Sequence, residues 1–192
     1  MKNIGTIELE TNRLLFRKAS TSDSKDMFNN WASDKEVTKY LSWDAYEKEE
    51  NAVSYLKYLE EEYIKDNFYN WIVVSKEDNT PIGTIGAVDI DIKNNTIEIG
   101  YCYGRKWWGK GLATESLKRV IKFFFEEVEV ETIYADHIDA NPASGKVMEK
   151  AGMKYEGIMR KRVLNKVTKK KADLIYYSIT KEDYFKGDNH EN

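Results

Sequence analysis

Two glycines in the middle of the chain are spaced to present backbone amides to an anion. Gly109 and Gly111 follow an apolar, strand-like run and precede a helical stripe that begins at Leu112. The first turn of a helix has N–H groups without internal acceptors, and its dipole places partial positive charge there. Because glycine has no side chain to block that end, the segment predicts a phosphate site, best suited to a diphosphate. Its spacing differs from that of a Walker loop and of the dinucleotide Gly-x-Gly-x-x-Gly pattern.

One carboxylate inside an apolar strand could accept a proton. Glu98 lies between Ile97 and Ile99, and strand alternation directs its side chain to the face opposite theirs. A protonated amine is not a nucleophile, so an enzyme that modifies amines needs such a base. Asp136 and His137, on the next strand, are alternative bases. An exposed glutamate on a half-covered strand is the other interpretation of Glu98.

A second polar cluster begins a shorter helix. Asn141 and Pro142 are typical of a helix N-cap and first helical residue, and Gly152 is expected to end that helix. Ser144, in its first turn, has a hydroxyl that could cap the helix or donate a proton.

Together these segments resemble the coenzyme A-binding motifs of the Gcn5-related N-acetyltransferase (GNAT) superfamily. The first is similar to Gln/Arg-x-x-Gly-x-Gly/Ala, with Lys106 in the Gln/Arg position, and Trp107–Glu115 resembles the Rim-type branch, which acetylates protein N-terminal amines. The second, Asn141–Met153, is similar to Asn-x-x-Ser-x-x-Val-x-Glu-Lys-x-Gly-Phe. The resemblance covers most of the chain, including Thr38–Trp43 and Asp173–Tyr177.

The resemblance implies an acetyl-CoA-dependent N-acetyltransferase that uses no metal. It implies that Glu98 is the base and that Ser144 protonates the departing thiolate, because Met148 stands where many members have a tyrosine for that task. Tyr40 and Trp43 are expected to contact the acceptor. The residues expected to bind acetyl-CoA are Tyr101, Cys102, Tyr103, Lys106, Trp108, Gly109, Lys110, Gly111, Leu112, Ala113, Thr114, Asn141, Ser144 and Lys146.

The elements that must position these residues follow the order β-α-α-β-β-β-α-β-α-β-β. The predicted strands are Thr11–Arg17, Trp71–Val74, Ile82–Ile92, Thr96–Tyr103, Thr132–Ile138, Tyr155–Leu164 and Asp173–Thr180. Together with the helical periodicity between them, they predict a mixed α/β (α+β) protein with the GNAT fold, a mostly antiparallel, seven-stranded sheet flanked by helices. One N-acetyltransferase domain is expected over residues 1–192, with a folded core from about 8 to 182 and a polar tail over 186–192.

The overall composition excludes several classes of protein. The net charge of −3 argues against nucleic-acid binding. The single cysteine, Cys102, excludes an intramolecular disulfide and a multi-cysteine zinc cluster, and two histidines leave little for a metal site. The chain has no signal-peptide pattern or membrane-spanning run, so no membrane partner and a cytoplasmic location are expected. The surplus of aromatic residues and an exposed strand edge are compatible with a homodimer.

Charge patterning indicates the class of acceptor. The helix from Glu47 to Glu62 has an acidic outer face that would attract cationic amines, whereas Asp89 and Asp91 are expected to face solvent. The Lys-rich final hairpin is typical of a protected strand edge and is also compatible with RNA contact. The expected acceptor is a protein N-terminus, with a polyamine or other small amine as the alternative. A coenzyme A-binding regulatory module without turnover and a nucleotide-binding module are the competing interpretations.

Overall fold

The computed structural model describes residues 1–188, with side chains up to residue 186. Its centre is one eight-stranded sheet in the order β1-β2-β3-β4-β5-β6-β8-β7. The strands are β1 (Leu9–Glu10), β2 (Leu14–Arg17), β3 (Asn70–Ser75), β4 (Thr80–Asp91), β5 (Thr96–Tyr103), β6 (Thr132–Ile138), β7 (Lys154–Leu164) and β8 (Lys171–Thr180). Neighbouring strands pair antiparallel except β5 and β6, which are parallel. The predicted mixed α/β class is confirmed.

Helices cover both faces of the sheet. They are α1 (Ser24–Met27), α2 (Lys35–Thr38), α3 (Glu49–Glu62), α4 (Leu112–Phe123), α5 (Pro142–Lys150) and α6 (Lys181–Asp188). One buried cluster, which includes Leu117 and Met148, joins α4 and α5 to the sheet. A second, which includes Met27 and Leu56, joins α1 and α3 to the other face. No helix in the described part of the chain is long and apolar enough to cross a membrane.

The beginning of the chain differs from the prediction. The sheet has eight strands rather than seven, because Leu9–Glu10 adds an edge strand that pairs with β2. The next strand begins at Leu14 instead of Thr11. Thr11 turns the chain there, since its N–H donates to the Leu14 carbonyl and its hydroxyl accepts from the Leu14 N–H. A two-residue strand is too short to produce a detectable alternation.

Two short helices were also missing from the predicted order. Helix α2 spans only Lys35–Thr38 and is capped by Asp34, whose side chain accepts from the Glu36 N–H. Helix α6 begins directly after β8, so residues 186–188 of the predicted polar tail are helical. The rest of that tail, residues 189–192, lies outside the described residues.

A gap opens in the sheet between β5 and β6. The two strands pair only from Thr96 to Glu98 and from Thr132 to Tyr134. Beyond these residues β5 continues beside β4 to Tyr103, while β6 continues beside β8. The only parallel pair in the described sheet therefore separates after one short stretch, and α4 follows the open end of β5.

Candidate active site

The glycine turn lies between the open end of β5 and α4. Gly109 and Gly111 both have left-handed backbone, with φ of 72° and 77°, which disfavours residues with side chains. Gly111 is the N-cap of α4 and provides no side-chain cap, so the first helical N–H groups are available to an external acceptor. A Cβ added at Gly109 would meet no heavy atom within 4 Å, so the turn borders open space. This turn fits a diphosphate bound by backbone amides.

Along β5, the backbone N–H and carbonyl groups of alternate residues face the gap, while those of the residues between them pair with β4. Gly104 donates its N–H to a β4 carbonyl at 2.9 Å. Because hydrogen-bonded residues alternate along antiparallel strands, the backbone of Cys102 faces β4, whereas that of Tyr101 and Tyr103 faces the gap. The Trp108 indole N–H donates to the Tyr103 carbonyl at 2.6 Å and holds the turn against the strand end. Tyr101 belongs to the strand end that was predicted to pair with pantetheine. Its backbone N–H and its carbonyl both face the gap.

Three other residues predicted to bind the co-substrate differ in the burial of their side chains. Cys102 is buried in the cluster under α1 and α3, and burial raises the pKa of its thiol to about 12. It is therefore a neutral thiol at physiological pH. Lys106 is exposed, with its ammonium 5.2 Å from the centre of the Trp107 ring. Lys110, in the glycine turn, is also exposed.

Ser144 and Tyr101 meet across the gap. The Tyr101 phenol oxygen lies 2.8 Å from Ser144 Oγ and also donates to the Ser144 carbonyl at 3.2 Å. Burial raises the pKa of Tyr101 to about 12, against an opposing contribution from the Ser144 hydrogen bond, so the phenol keeps its proton at neutral pH. Met148, by contrast, is 1% exposed and packs into the core under α5. The hydroxyl pair therefore supplies the protic groups on this side of the gap.

The other predicted residues of α5 lie at its first turns. Asn141 occupies the N-cap position, but its side chain makes no capping hydrogen bond. Lys146 is exposed. The Asn141 side chain therefore does not cap α5, and the Lys146 side chain extends into solvent.

Glu98 lies at the point where β5 and β6 separate. Ile97 and Ile99 are buried, and Glu98 occupies the opposite sheet face, as predicted. Burial, followed by the nearby carboxylates of Asp136 and Asp89, raises the pKa of Glu98 to about 7, against an opposing hydrogen bond from a tyrosine. At neutral pH a large fraction of this carboxyl group is ionised and able to accept a proton.

The two alternative bases lie on opposite faces of β6. Asp136 shares the Glu98 face, and burial raises its pKa, with Tyr176 and His137 opposing. His137 faces α5, where a Cβ at Gly145 would lie only 2.6 Å from its Nε2, and its ring stacks on a tyrosine of β8. His137 therefore lies on the sheet face opposite Glu98, the face that α5 covers, and it stays an alternative prediction for the base.

Sequence reasoning missed two neighbours of Glu98. Asp89 is exposed, as expected, yet strand register places it opposite Glu98, and it accepts a hydrogen bond from Tyr134 at 3.2 Å. Alternation along β6 could have placed Tyr134 on this face together with Asp136. A bulge between Ala87 and Asp89 shifts the register of β4 so that Asp89 lies opposite Glu98. No pattern in the sequence indicates that bulge.

The predicted acceptor residues lie in the loop between α2 and α3. Trp43 packs on Tyr46 with ring centres 5.3 Å apart, and both contact the cluster that contains the end of β5. From the turn between β7 and β8, Lys166 donates to the Trp43 carbonyl at 2.5 Å and pairs with Asp44 at 3.0 Å. Tyr40, at the start of the loop, is partly exposed. The loop and the final hairpin are therefore in contact.

These features surround one opening in the sheet, and its glycine turn fits a diphosphate-bearing ligand. A carboxylate stands where two strands separate, a hydroxyl pair spans the gap, and a glycine turn lies at its open end. Among the described residues, no group of three His, Cys, Asp or Glu side chains is placed to hold a metal ion.

Comparison with known proteins identifies the family. Residues 13–154 match the Acetyltransferase (GNAT) domain family, so the chain belongs to the GNAT acetyltransferases. The uncharacterized N-acetyltransferase p20 of Bacillus licheniformis is 30% identical over 92% of this chain and 97% of its own length. A GNAT-family acetyltransferase structure from Bacillus anthracis matches with a TM-score of 0.79 and 27% identity, covering 92% of this chain and 99% of that one. The ribosomal-protein-S5-alanine acetyltransferase of Vibrio fischeri matches with a TM-score of 0.80 and 21% identity over 93% and 98%.

The chain is therefore an acetyl-CoA-dependent N-acetyltransferase, with acetyl-CoA as its co-substrate. The predicted superfamily and enzyme class are confirmed, in preference to a regulatory or nucleotide-binding module. The Rim-type branch stays a prediction.

Proposed function

We propose that this acetyltransferase modifies the N-terminal α-amine of a protein or peptide. The observation that carries the proposal is the position of Glu98 where the strands separate, with a pKa raised to about 7. An α-amine has a pKa near 8, whereas a lysine side chain has one above 10. A base of this strength is therefore well matched to an α-amine, and producing a neutral lysine would require much more work.

Each site residue has a defined task in the proposed reaction. The co-substrate supplies a thioester, and the backbone amides from Gly109 to Ala113 hold its diphosphate. Glu98 accepts the proton that the attacking amine loses as the C–N bond forms. Ser144, hydrogen-bonded to Tyr101, gives its proton to the sulfur as the C–S bond breaks and takes a proton back from solvent. The buried, neutral Cys102 supports direct attack, since it provides no thiolate to form an acyl-enzyme.

Two further features favour a protein N-terminus. The Tyr40–Trp43 loop is in contact with the final hairpin, and we propose that an extended peptide lies along the surface that these two elements form. The V. fischeri protein of the same fold is named for acetylating an alanine of a ribosomal protein. We propose that one domain over residues 1–192 performs this reaction in the cytoplasm.

A polyamine is the second candidate acceptor. Three carboxylates, Asp89, Glu98 and Asp136, lie close enough for two of them to raise the pKa of Glu98. Such a cluster attracts a multiply charged amine more strongly than a singly charged one.

A substrate panel distinguishes these acceptors. Purified protein with acetyl-CoA is given peptides with free or acetyl-blocked N-termini, each with and without an internal lysine, and spermidine, and thiol release is measured at low and high salt. We expect turnover of the free N-terminus, none of the blocked peptides, and a weak salt dependence, because screening acts most on multiply charged ligands. Activity on spermidine alone, with steep suppression by salt, would show that the N-terminal assignment is wrong.

A further inference from the structure

The glycine turn is held from outside by the connection between β1 and β2. Arg13 in that connection donates through Nη1 to the Lys110 carbonyl at 3.1 Å. Its Nε donates to Glu115 Oε2 at 2.6 Å, and its Nη2 pairs with the same oxygen. The other oxygen, Oε1, accepts from the Thr11 hydroxyl at 2.5 Å. One arginine therefore joins the turn and the first helical turn of α4.

The carboxylate of Glu115, which pairs with Arg13, carries negative charge at a helix end that is expected to bind an anion. Glu115 lies in the first turn of α4, where the N–H groups would bind a diphosphate. An unpaired carboxylate there would repel the diphosphate and compete for the partial positive charge of the helix end. In the structure both of its oxygens face Arg13 and Thr11. Although burial opposes it, the pKa of Glu115 is lowered by these two partners, so the group is ionised and needs neutralising.

Arg13 also orients the backbone of the turn. A peptide unit points its carbonyl and its N–H in opposite directions. The carbonyl of Lys110 is directed to the Arg13 guanidinium, so the N–H of Gly111 in the same peptide unit points the other way. The Arg13 side chain lies beside Gly111 on the outer side of the turn, with Nη2 3.7 Å from where a Cβ would be.

We infer that Arg13 is a positioning residue for the coenzyme diphosphate. Arg13 neutralises Glu115 and turns the Lys110 carbonyl away from the face that binds the diphosphate. The inference concerns co-substrate binding and is independent of the acceptor. Arg13 contributes to affinity for the coenzyme and leaves the chemical step unchanged.

The test measures the dissociation constant of coenzyme A by calorimetry, beside steady-state kinetics. Arg13→Met should weaken binding roughly two- to fivefold, the range for one charge at a helix N-terminus, and raise the KM for acetyl-CoA while kcat stays within about twofold. Adding Glu115→Gln to Arg13→Met should restore most of the affinity, because the repelling charge is then removed. Lys76→Met is the matched control, since Lys76 pairs with Glu10 at 2.7 Å and also donates to the Thr11 carbonyl.

The outcomes separate an electrostatic role from a merely structural one. Recovery in the double variant, with unchanged binding in Lys76→Met, supports the inference. Unchanged coenzyme affinity in Arg13→Met overturns it. Equal weakening in the single and double variants overturns the neutralising role of Arg13, because an uncompensated Glu115 charge would then not account for the effect.

Discussion

At the residue scale, Glu98 determines how the rate depends on pH. Its pKa of about 7 means that the wild-type rate should rise as pH increases through 7 and the carboxyl loses its proton. Glu98→Gln should lower kcat by a hundredfold or more, the usual contribution of a general base, with coenzyme affinity preserved. The measurement is a pH–rate profile at saturating acetyl-CoA.

Asp136→Asn is the control for that profile. The Asp136 carboxylate raises the pKa of Glu98, so its removal should move the rising limb to lower pH and leave the maximal rate similar. If Glu98→Gln retains the wild-type limb near pH 7, Glu98 is not the base and Asp136 is the next candidate.

The same pKa predicts a cost in stability. The folded-state pKa of Glu98 lies above its unfolded value of 4.5, so between these values the folded protein binds more protons than the unfolded chain. The contribution of Glu98 to the free energy of unfolding is therefore fully present below pH 4.5 and is lost as the pH rises through about 7. Glu98→Gln should accordingly gain in Tm relative to wild type at pH 8 and much less at pH 5. A thermal melt of both proteins at the two pH values measures this difference.

At the element scale, the acceptor loop depends on a contact from the far end of the chain. Lys166 joins the Trp43 carbonyl and Asp44 to the β7–β8 turn. Lys166→Met should raise the KM for the peptide acceptor about two- to fivefold, the range for a partly exposed ion pair, and leave the KM for acetyl-CoA unchanged. Peptide kinetics with Lys170→Met, an exposed lysine of the same turn, provide the control. Equal effects of both variants would indicate that general charge on the hairpin, and not this contact, matters.

At the scale of the whole molecule, co-substrate binding should stabilise the fold through the glycine turn. Coenzyme A at a hundredfold excess over its Kd contributes about 2.7 kcal/mol, which corresponds to a Tm rise of about 5–10 °C for a domain of this size. Gly109→Asp should lose most of this rise, because its carboxylate repels the diphosphate.

Gly109→Asn is the matched variant for that melt. Asn and Asp both tolerate the left-handed backbone at φ 72°, so the two variants have similar strain and differ in charge. The Asn variant should keep more of the coenzyme-induced shift. A full shift in Gly109→Asp would show that the diphosphate binds elsewhere.

Local pattern was sufficient for the elements that carry the site. Period-2 alternation predicted β5 and β6 with their observed bounds, and it placed Glu98 on the face opposite Ile97 and Ile99. The helix after Gly111 was likewise evident from a stripe of apolar residues. These features depend on backbone preferences and on side chains a few residues apart, which the sequence by itself specifies.

Only the tertiary structure decided which distant residues meet. The gap exists because the β5–β6 pairing ends at Glu98, and Asp89 reaches that residue through a bulge in β4. The contact between Tyr101 and Ser144 and the ion pair from Arg13 to Glu115 join positions far apart in the chain. Register, bulges and the separation of strands arise from packing summed over the whole sheet, so no local spacing of residues encodes them.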